Sequence, residues 1–290
     1  MVYRHPVSDL IRLRFSCRTY SPEPIGAEER RILEQETAAI ASGPLGTPLR
    51  FRLIAATAED HAALKGLGTY GFIRGASAFI VGAAHRPEEN PEDFGFRMEQ
   101  IVLLCTDLGL GSCWLGGTFT QSSFAGKISL EEDEDLPAVV SAGRMAGEKR
   151  ARDGAVRLLA RSKSRFPRED LFFDGTFAAP LTEEAAGPYA GPLEMVRLGP
   201  SASNKQPWRI LRAGGDWHFY LQRTAGYREG FFQRILRLAD LQRIDMGIAM
   251  CHFELAARER GLRGAWIRRE PAHDTGAGAR EYVITWSDTA

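Results

Sequence analysis

The sequence predicts an α+β fold made of two diverged repeats, and three observations carry that prediction. Residues 97–114 (RMEQIVLLCTDLGLGSCW) align without gaps with residues 249–266 (AMCHFELAARERGLRGAW), matching Met98 with Met250, Leu103 with Leu255, Gly109 with Gly261, Leu110 with Leu262 and Trp114 with Trp266. Upstream, Pro24-Ile25-Gly26-Ala27-Glu28-Glu29 faces Pro180-Leu181-Thr182-Glu183-Glu184, and Gly43-Pro44 before the run 51–55 faces Gly199-Pro200 before 208–211. These matches keep their order along the chain, which chance similarity between two apolar helices does not require.

Each aligned segment reads as a helix, a glycine stop and a strand. The helices are apolar around much of their circumference, with Ile101, Val102, Leu104, Cys105 and Leu108 in one and Ile248, Met250, Phe253, Leu255 and Ala256 in the other. Such helices belong in an interior or between two subdomains. Short β-branched or aromatic runs predict strands over 50–55, 78–82, 138–142, 208–211, 217–221 and 282–286. The charged segment 146–175, ending in Asp174-Gly175, reads as the join between a first unit, 1–170, and a second, 171–290. Trp114 and Trp266 read as structural. His252, inside an apolar helix and without a partner at ligand spacing, reads as a satisfied core histidine.

Composition excludes several classes. With 290 residues, 44% of them apolar, the chain supports a sizeable core, and 37 basic against 37 acidic residues leave no overall field for nucleic acid or an anionic membrane. Cys17, Cys105, Cys113 and Cys251 form no CxxC pair, so reduced, buried thiols are expected and no metal site. No run approaches the roughly 18 apolar residues of a membrane span, and the amino end carries Arg4, His5 and Asp9 where a secretory segment needs apolar residues. The expectation is a cytoplasmic globular protein.

The chemistry concentrates in two places. Arg14 and Arg18 stand one helical turn apart with Ser16 between them, and Lys163 and Arg165 recur further on as Lys-Ser-Arg. Forked guanidinium groups and hydroxyls are what a phosphate monoester requires. The second place is Pro200-Ser201-Ala202-Ser203-Asn204-Lys205-Gln206-Pro207-Trp208. The run GLGSCWLGG contains GxG, but Gly109 closes a helix and precedes a strand, the reverse of a dinucleotide fingerprint, so its glycines read as a C-cap.

Taken together these segments resemble the nitroreductase family, the FMN-dependent NAD(P)H oxidoreductases. The RxSxR phosphate motif with its following aromatic is present as Arg14, Ser16, Arg18 and Tyr20, the buried helix ending in GLG and Cys-Trp as 109–117, the basic tail as 163–167, and PSxxNxQPW as 200–208. One departure is large: the Asn-Gln-Pro-Trp motif lies beyond the buried helix, whereas family members carry it before. Typical members are homodimers with FMN at the subunit interface. The chain resembles such a dimer fused into one polypeptide, a nitroreductase-like fold of mixed and antiparallel sheets with helices, packed as an intramolecular pseudo-dimer. The first copy lacks Asn and Gln between Pro44 and Phe51, and the second places Asp170, Phe172 and Asp174 near where Arg14, Ser16 and Arg18 align. One FMN per chain follows, not two.

The resemblance implies the roles. Arg14, Phe15, Ser16, Arg18, Lys163 and Arg165 hold the phosphate and ribityl, while Pro200, Ser201, Ala202, Ser203, Asn204 and Gln206 reach ring and ribityl from the second copy. Leu115, Gly116 and Gly117 approach the flavin N5 edge by main chain, since glycine lets backbone come close. Hydride passes from NAD(P)H through N5 to a small organic acceptor of nitroaromatic or quinone type, and no protein acid or base is needed at the reacting carbon. Tyr70, Phe72, Tyr227 and Phe231 are candidates for the substrate pocket, with core packing as the competing reading. The chain is expected to work as a monomer, with neither nucleic acid nor membrane as partner. One rival is a non-catalytic FMN-binding or sensing protein of the same lineage. Another is an anion- or nucleic-acid-binding module using Arg258, Arg260, Arg263, Arg268 and Arg269, although Glu259 and Glu270 lie among them.

Overall fold

Two sheets with the same strand order flank a pair of long helices in the computed structural model, which describes residues 1–57, 60–85, 90–146, 164–227, 239–271 and 276–288. Along the first half run α1 (Val7–Leu13), α2 (Ala27–Ala38), β1 (Leu49–Ala55), β2 (Ala78–His85), α3 (Pro91–Asp107), β3 (Gly111–Leu115), α4 (Gln121–Ile128), β4 (Glu134–Asp135) and β5 (Val139–Gly143). The second half supplies β6 (Phe172–Asp174), β7 (Thr176–Pro180), α5 (Glu183–Ala186), α6 (Ala190–Arg197), β8 (Trp208–Ala213), β9 (Asp216–Leu221), α7 (Leu241–Glu259), β10 (Ala265–Ile267) and β11 (Glu281–Ser287).

One sheet is ordered β1-β2-β5-β3 and the other β8-β9-β11-β10, every neighbour in these two paths being antiparallel. Each repeat therefore folds alike. β4 extends β2, and β6 lies parallel to β8 and carries β7. The predicted glycine stops are also matched. Gly109 and Gly261 both adopt φ 73°, and the amides behind them, of Leu110 and Leu262, donate to the carbonyls of Cys105 and Ala257 at 2.8 and 3.0 Å. This is the left-handed cap that glycine adopts without a Cβ penalty.

The halves meet where α3 crosses α7, and both helices are buried over most of their length. Gly95 and Gly247 make the approach possible. A Cβ on Gly95 would stand 2.1 Å from the Ile244 carbonyl oxygen, and one on Gly247 only 1.9 Å from that of Glu92. Next to the crossing, Arg243 donates from Nε and Nη2 to Glu92 at 2.7 and 2.9 Å, an ion pair between the repeats.

A second equivalence fixes the loops. Asp93 accepts the amides of Leu45 and Thr47, each at 2.8 Å. Asp245, at the matching place on α7, accepts the amide of Ala202 at 3.0 and 3.1 Å. Two carboxylates thus hold the two corresponding loops onto the central helices.

The topology corrects one expectation. Ser16 bridges Ser112 on β3, whereas Phe172 pairs with Ile210 on β8, the counterpart of β1. Phe172 and Asp174, with Asp170 in the turn before them, therefore lie on the opposite side of their sheet and are not the second copy of Arg14, Ser16 and Arg18. Phe172 is fully buried, since an aromatic run seeks the core whatever its charged flanks resemble.

Candidate functional site

The phosphate motif is extended, not helical. α1 ends at Leu13, Arg14 turns away at φ −57° and ψ 132°, and the Cys17 amide donates to the Ser112 carbonyl at 2.8 Å. Alternation along an extended chain puts Arg14, Ser16 and Arg18 on one side, so the expected helical turn is replaced by a strand-like comb. Phe15 packs against the buried cluster that contains Cys17 and Phe119.

Arg14 is 7% exposed in its side chain, and its Nε lies 3.9 Å from Glu99 Oε1. Among the described residues, Arg14 Nε and Arg18 Nη1 are buried without a hydrogen-bond acceptor. Burying a charged donor unsatisfied is costly, and an anionic ligand that supplied the acceptor would offset that cost. Arg165 adds a third cation. Its burial, then Arg14 and Arg197 beside it, push its pKa down to about 10. Lys163 lies outside the described residues.

Arg165 joins this cluster to the second repeat. Its Nη1 donates to Asn204 Oδ1 at 3.2 Å and its Nη2 to the Leu198 carbonyl at 3.1 Å. Asn204 returns a bond from Nδ2 to the Ser164 carbonyl at 3.0 Å. Gln206, 2% exposed, is consumed as a clamp: Oε1 accepts the Phe166 amide at 2.9 Å and Nε2 donates to the Asn204 carbonyl at 3.2 Å. It shapes the loop instead of presenting a free carboxamide. Ser201 Oγ accepts the Gln206 amide at 2.8 Å. Pro200 is half-buried and precedes Ser201 in extended conformation.

Within this loop Ser203, Asn204 and Gln206 have φ of 50°, 56° and 48°. Three left-handed residues other than glycine within four positions are unusual, each costing about 1 kcal/mol or more, and such strain concentrates at ligand sites. Asp245 anchors the strained turn from below. Burial pushes the Asp245 carboxyl well above the usual carboxylate range.

Gly116 faces the same region: a Cβ there would stand 2.7 Å from Leu241, at the start of α7. Gly117 is exposed with open space beside it, and Leu115 is buried beneath. Leu241 also lines a cleft of about 340 Å³ with Ala202, Ser203, Lys205, Thr224 and Tyr227. Tyr227 accepts the Gln242 amide at 3.4 Å, and burial, with Asp240 nearby, holds its phenol above the ordinary range. Tyr70 and Phe72 are 70% and 48% exposed, so the competing core reading fails for both. Their loop adjoins residues 116–120 through the Thr120 amide, which donates to the Gly68 carbonyl at 2.9 Å. Phe231 lies outside the described residues.

Sequence reasoning missed Asp245, Glu99 and the cleft residues Lys205, Thr224 and Gln242. Lys205 lay inside the quoted motif, and Asp245 would have emerged from extending the repeat alignment four residues upstream, where Asp93 meets Asp245. Thr224 and Gln242, locked to each other by a 2.7 Å bond from Gln242 Nε2 to Thr224 Oγ1, left no such signal. His252 is satisfied in the core, as expected, by the Met195 carbonyl and Glu99. Arg258 and Arg269 of the basic rival are paired with Glu254 and Asp216, each at 2.7 Å. Among the described residues no helix is long and apolar enough to cross a membrane.

The family model described as "Putative TM nitroreductase" matches residues 7–257, and the chain belongs to the nitroreductase family of oxidoreductases. A crystal structure described as a putative nitroreductase from Thermotoga maritima MSB8 is 18% identical with a TM-score of 0.61, the match covering 100% of this chain and 97% of that one. That likeness shows the fold over both repeats. A nitroreductase with bound FMN from Bacteroides fragilis NCTC 9343 is 18% identical over 50% of this chain and 90% of its own, with a TM-score of 0.38. A nitroreductase family protein from Clostridium difficile 630 is 19% identical over 53% and 92%, with a TM-score of 0.39. Comparison with curated proteins gives no match.

Proposed function

We propose that this chain is an FMN-dependent oxidoreductase holding one flavin between its two repeats, with NAD(P)H as donor and a small nitroaromatic or quinone-type acceptor. The observation that carries the reading is a phosphate-type motif in which Arg18 Nη1 is a buried donor without an acceptor and Arg14 lies desolvated beside Arg165, which itself bonds the loop of the other repeat. Like charges kept together out of water repel one another, and a dianionic phosphate offsets that repulsion while accepting the unused hydrogen bonds.

Bound there, FMN supplies hydride transfer at its N5. The chain's own residues bind and orient. Arg14, Ser16, Arg18 and Arg165, joined by Lys163, hold the phosphate and ribityl hydroxyls, and Ser201, Ser203 and Asn204 reach the ring. Gly116 and Gly117, lacking side chains, let main-chain amides approach its edge. Tyr70 and Phe72 on one side and Tyr227 on the other offer flat faces to a ring-bearing acceptor. In this reading residues 1–170 and 171–290 act as the two halves of one site within a single monomeric, cytoplasmic chain.

The test is direct. Purified protein should be yellow and bleach with NAD(P)H. Replacing Arg14 and Arg18 together with Glu should abolish flavin retention, while Arg268 and Arg269 changed to Glu should leave it intact. Retention after the first change would refute the assigned grip.

A further inference from the structure

Glu99 on α3 is fully buried, and three elements meet at its carboxylate. Oε2 accepts the indole N–H of Trp114 at 2.8 Å, on the strand that leads into Leu115, Gly116 and Gly117. Oε1 faces Arg14 Nε at 3.9 Å and His252 Nε2 at 3.0 Å. His252 comes from α7 of the other repeat, and its Nδ1 lies 2.9 Å from the Met195 carbonyl. A carbonyl only accepts, so Nδ1 donates there, which leaves Nε2 to meet Glu99.

For Arg14 the consequence is directional. Its Nε edge is turned inward to Glu99, and because the guanidinium is a rigid planar fork, its terminal end is thereby aimed away, toward a ligand. The phosphate motif is an irregular extended segment with one bridge to β3, so the backbone alone does not fix that side chain.

We propose that Glu99 is a positioning residue for the phosphate grip: it orients Arg14, and His252 holds it in place from the second repeat. The proposal rests on the FMN reading above. Glu99 itself touches neither cofactor nor acceptor in this arrangement. Two other roles make opposite predictions. Were Glu99 merely a carboxylate near the site, its charge would repel phosphate and its removal would tighten binding. Were it only a core packing group, its loss would weaken every ligand alike.

FMN and riboflavin differ only in the phosphate, which makes them the discriminating probes. Apoprotein, wild type and variant, is titrated with each. The wild type should prefer FMN. Glu99→Gln can still accept from Trp114 and donate to His252 but offers Arg14 no charge. It should weaken FMN binding by about tenfold, the scale of one charge-assisted contact, and leave riboflavin within about twofold. Glu99→Ala should do the same more strongly where it folds. FMN binding unchanged or tighter in Glu99→Gln, or equal losses for the two flavins, overturns the proposal. A wild-type chain that binds neither flavin overturns the FMN reading itself, and an effect confined to the variants concerns Glu99 alone.

Discussion

Gly95 and Gly247 occupy the same position in the two repeats, and each is pressed against the backbone of the other's helix, at Ile244 and Glu92 respectively. Those two contact residues are themselves equivalent in the alignment. Such reciprocity, in which one residue meets the partner of the residue that meets it, is the signature of a two-fold interface, here formed within one chain.

Substituting either glycine should be costly. Gly95→Ala or Gly247→Ala forces backbone atoms apart and is expected to destabilise by about 1–3 kcal/mol, read from the urea midpoint at constant slope. Gly126→Ala, in α4 with open space beside it, should be neutral or stabilising by up to ~1 kcal/mol. Equal behaviour of the three variants would contradict a tight crossing.

Asp245 predicts a pH dependence. Burial raises its carboxyl above the range it has in the unfolded chain, so the folded protein binds the extra proton. Stability linked to this group is fully present below the ordinary aspartate pKa and declines as pH rises through the folded value, by up to about 1.4 kcal/mol per unit. Asp245→Asn keeps an acceptor for the Ala202 amide and cannot ionise. Its urea midpoint should match or trail the wild type near pH 4 and gain on it steadily toward pH 8. A constant difference across that range would show that Asp245 does not titrate as its burial implies.

Ser203 is exposed and left-handed, so its strain serves the loop's shape and not the core. Ser203→Gly removes about 1 kcal/mol of strain while loosening the unfolded chain by a similar amount. Stability of the apoprotein should change by less than about 1 kcal/mol, and FMN affinity should fall as the turn loses its hydroxyl and its rigidity. The opposite pattern, clear destabilisation with unaltered affinity, would assign the strain to folding.

Much of this architecture could be read from the chain because the informative residues obey local rules. Glycine ends both central helices at the same φ, and the six strand runs recur within a few residues of β1, β2, β5, β8, β9 and β11. What escaped depends on contacts distant in sequence. Gly95, Gly247, Asp93 and Asp245 lie just upstream of the aligned block, among positions such as Glu92 and Ile244 that share no chemistry. Arg14 and Arg18 are spaced to suit either a helical turn or an extended comb, and only the bridge to Ser112 decides between them. β6 is masked by the charged join around it, where the short Phe172-Phe173 pair carries too little apolar run to mark a strand. Glu99 shows no motif, since its partners Arg14, Trp114 and His252 come from three different segments.

Calorimetric titration of the apoprotein with FMN decides whether the two repeats share one cofactor. A single flavin clasped between Arg14 and Arg18 of one repeat and the 200–206 loop of the other predicts one equivalent per chain, abolished in the Arg14→Glu, Arg18→Glu double variant. Two equivalents, or one that survives that double substitution, would contradict it.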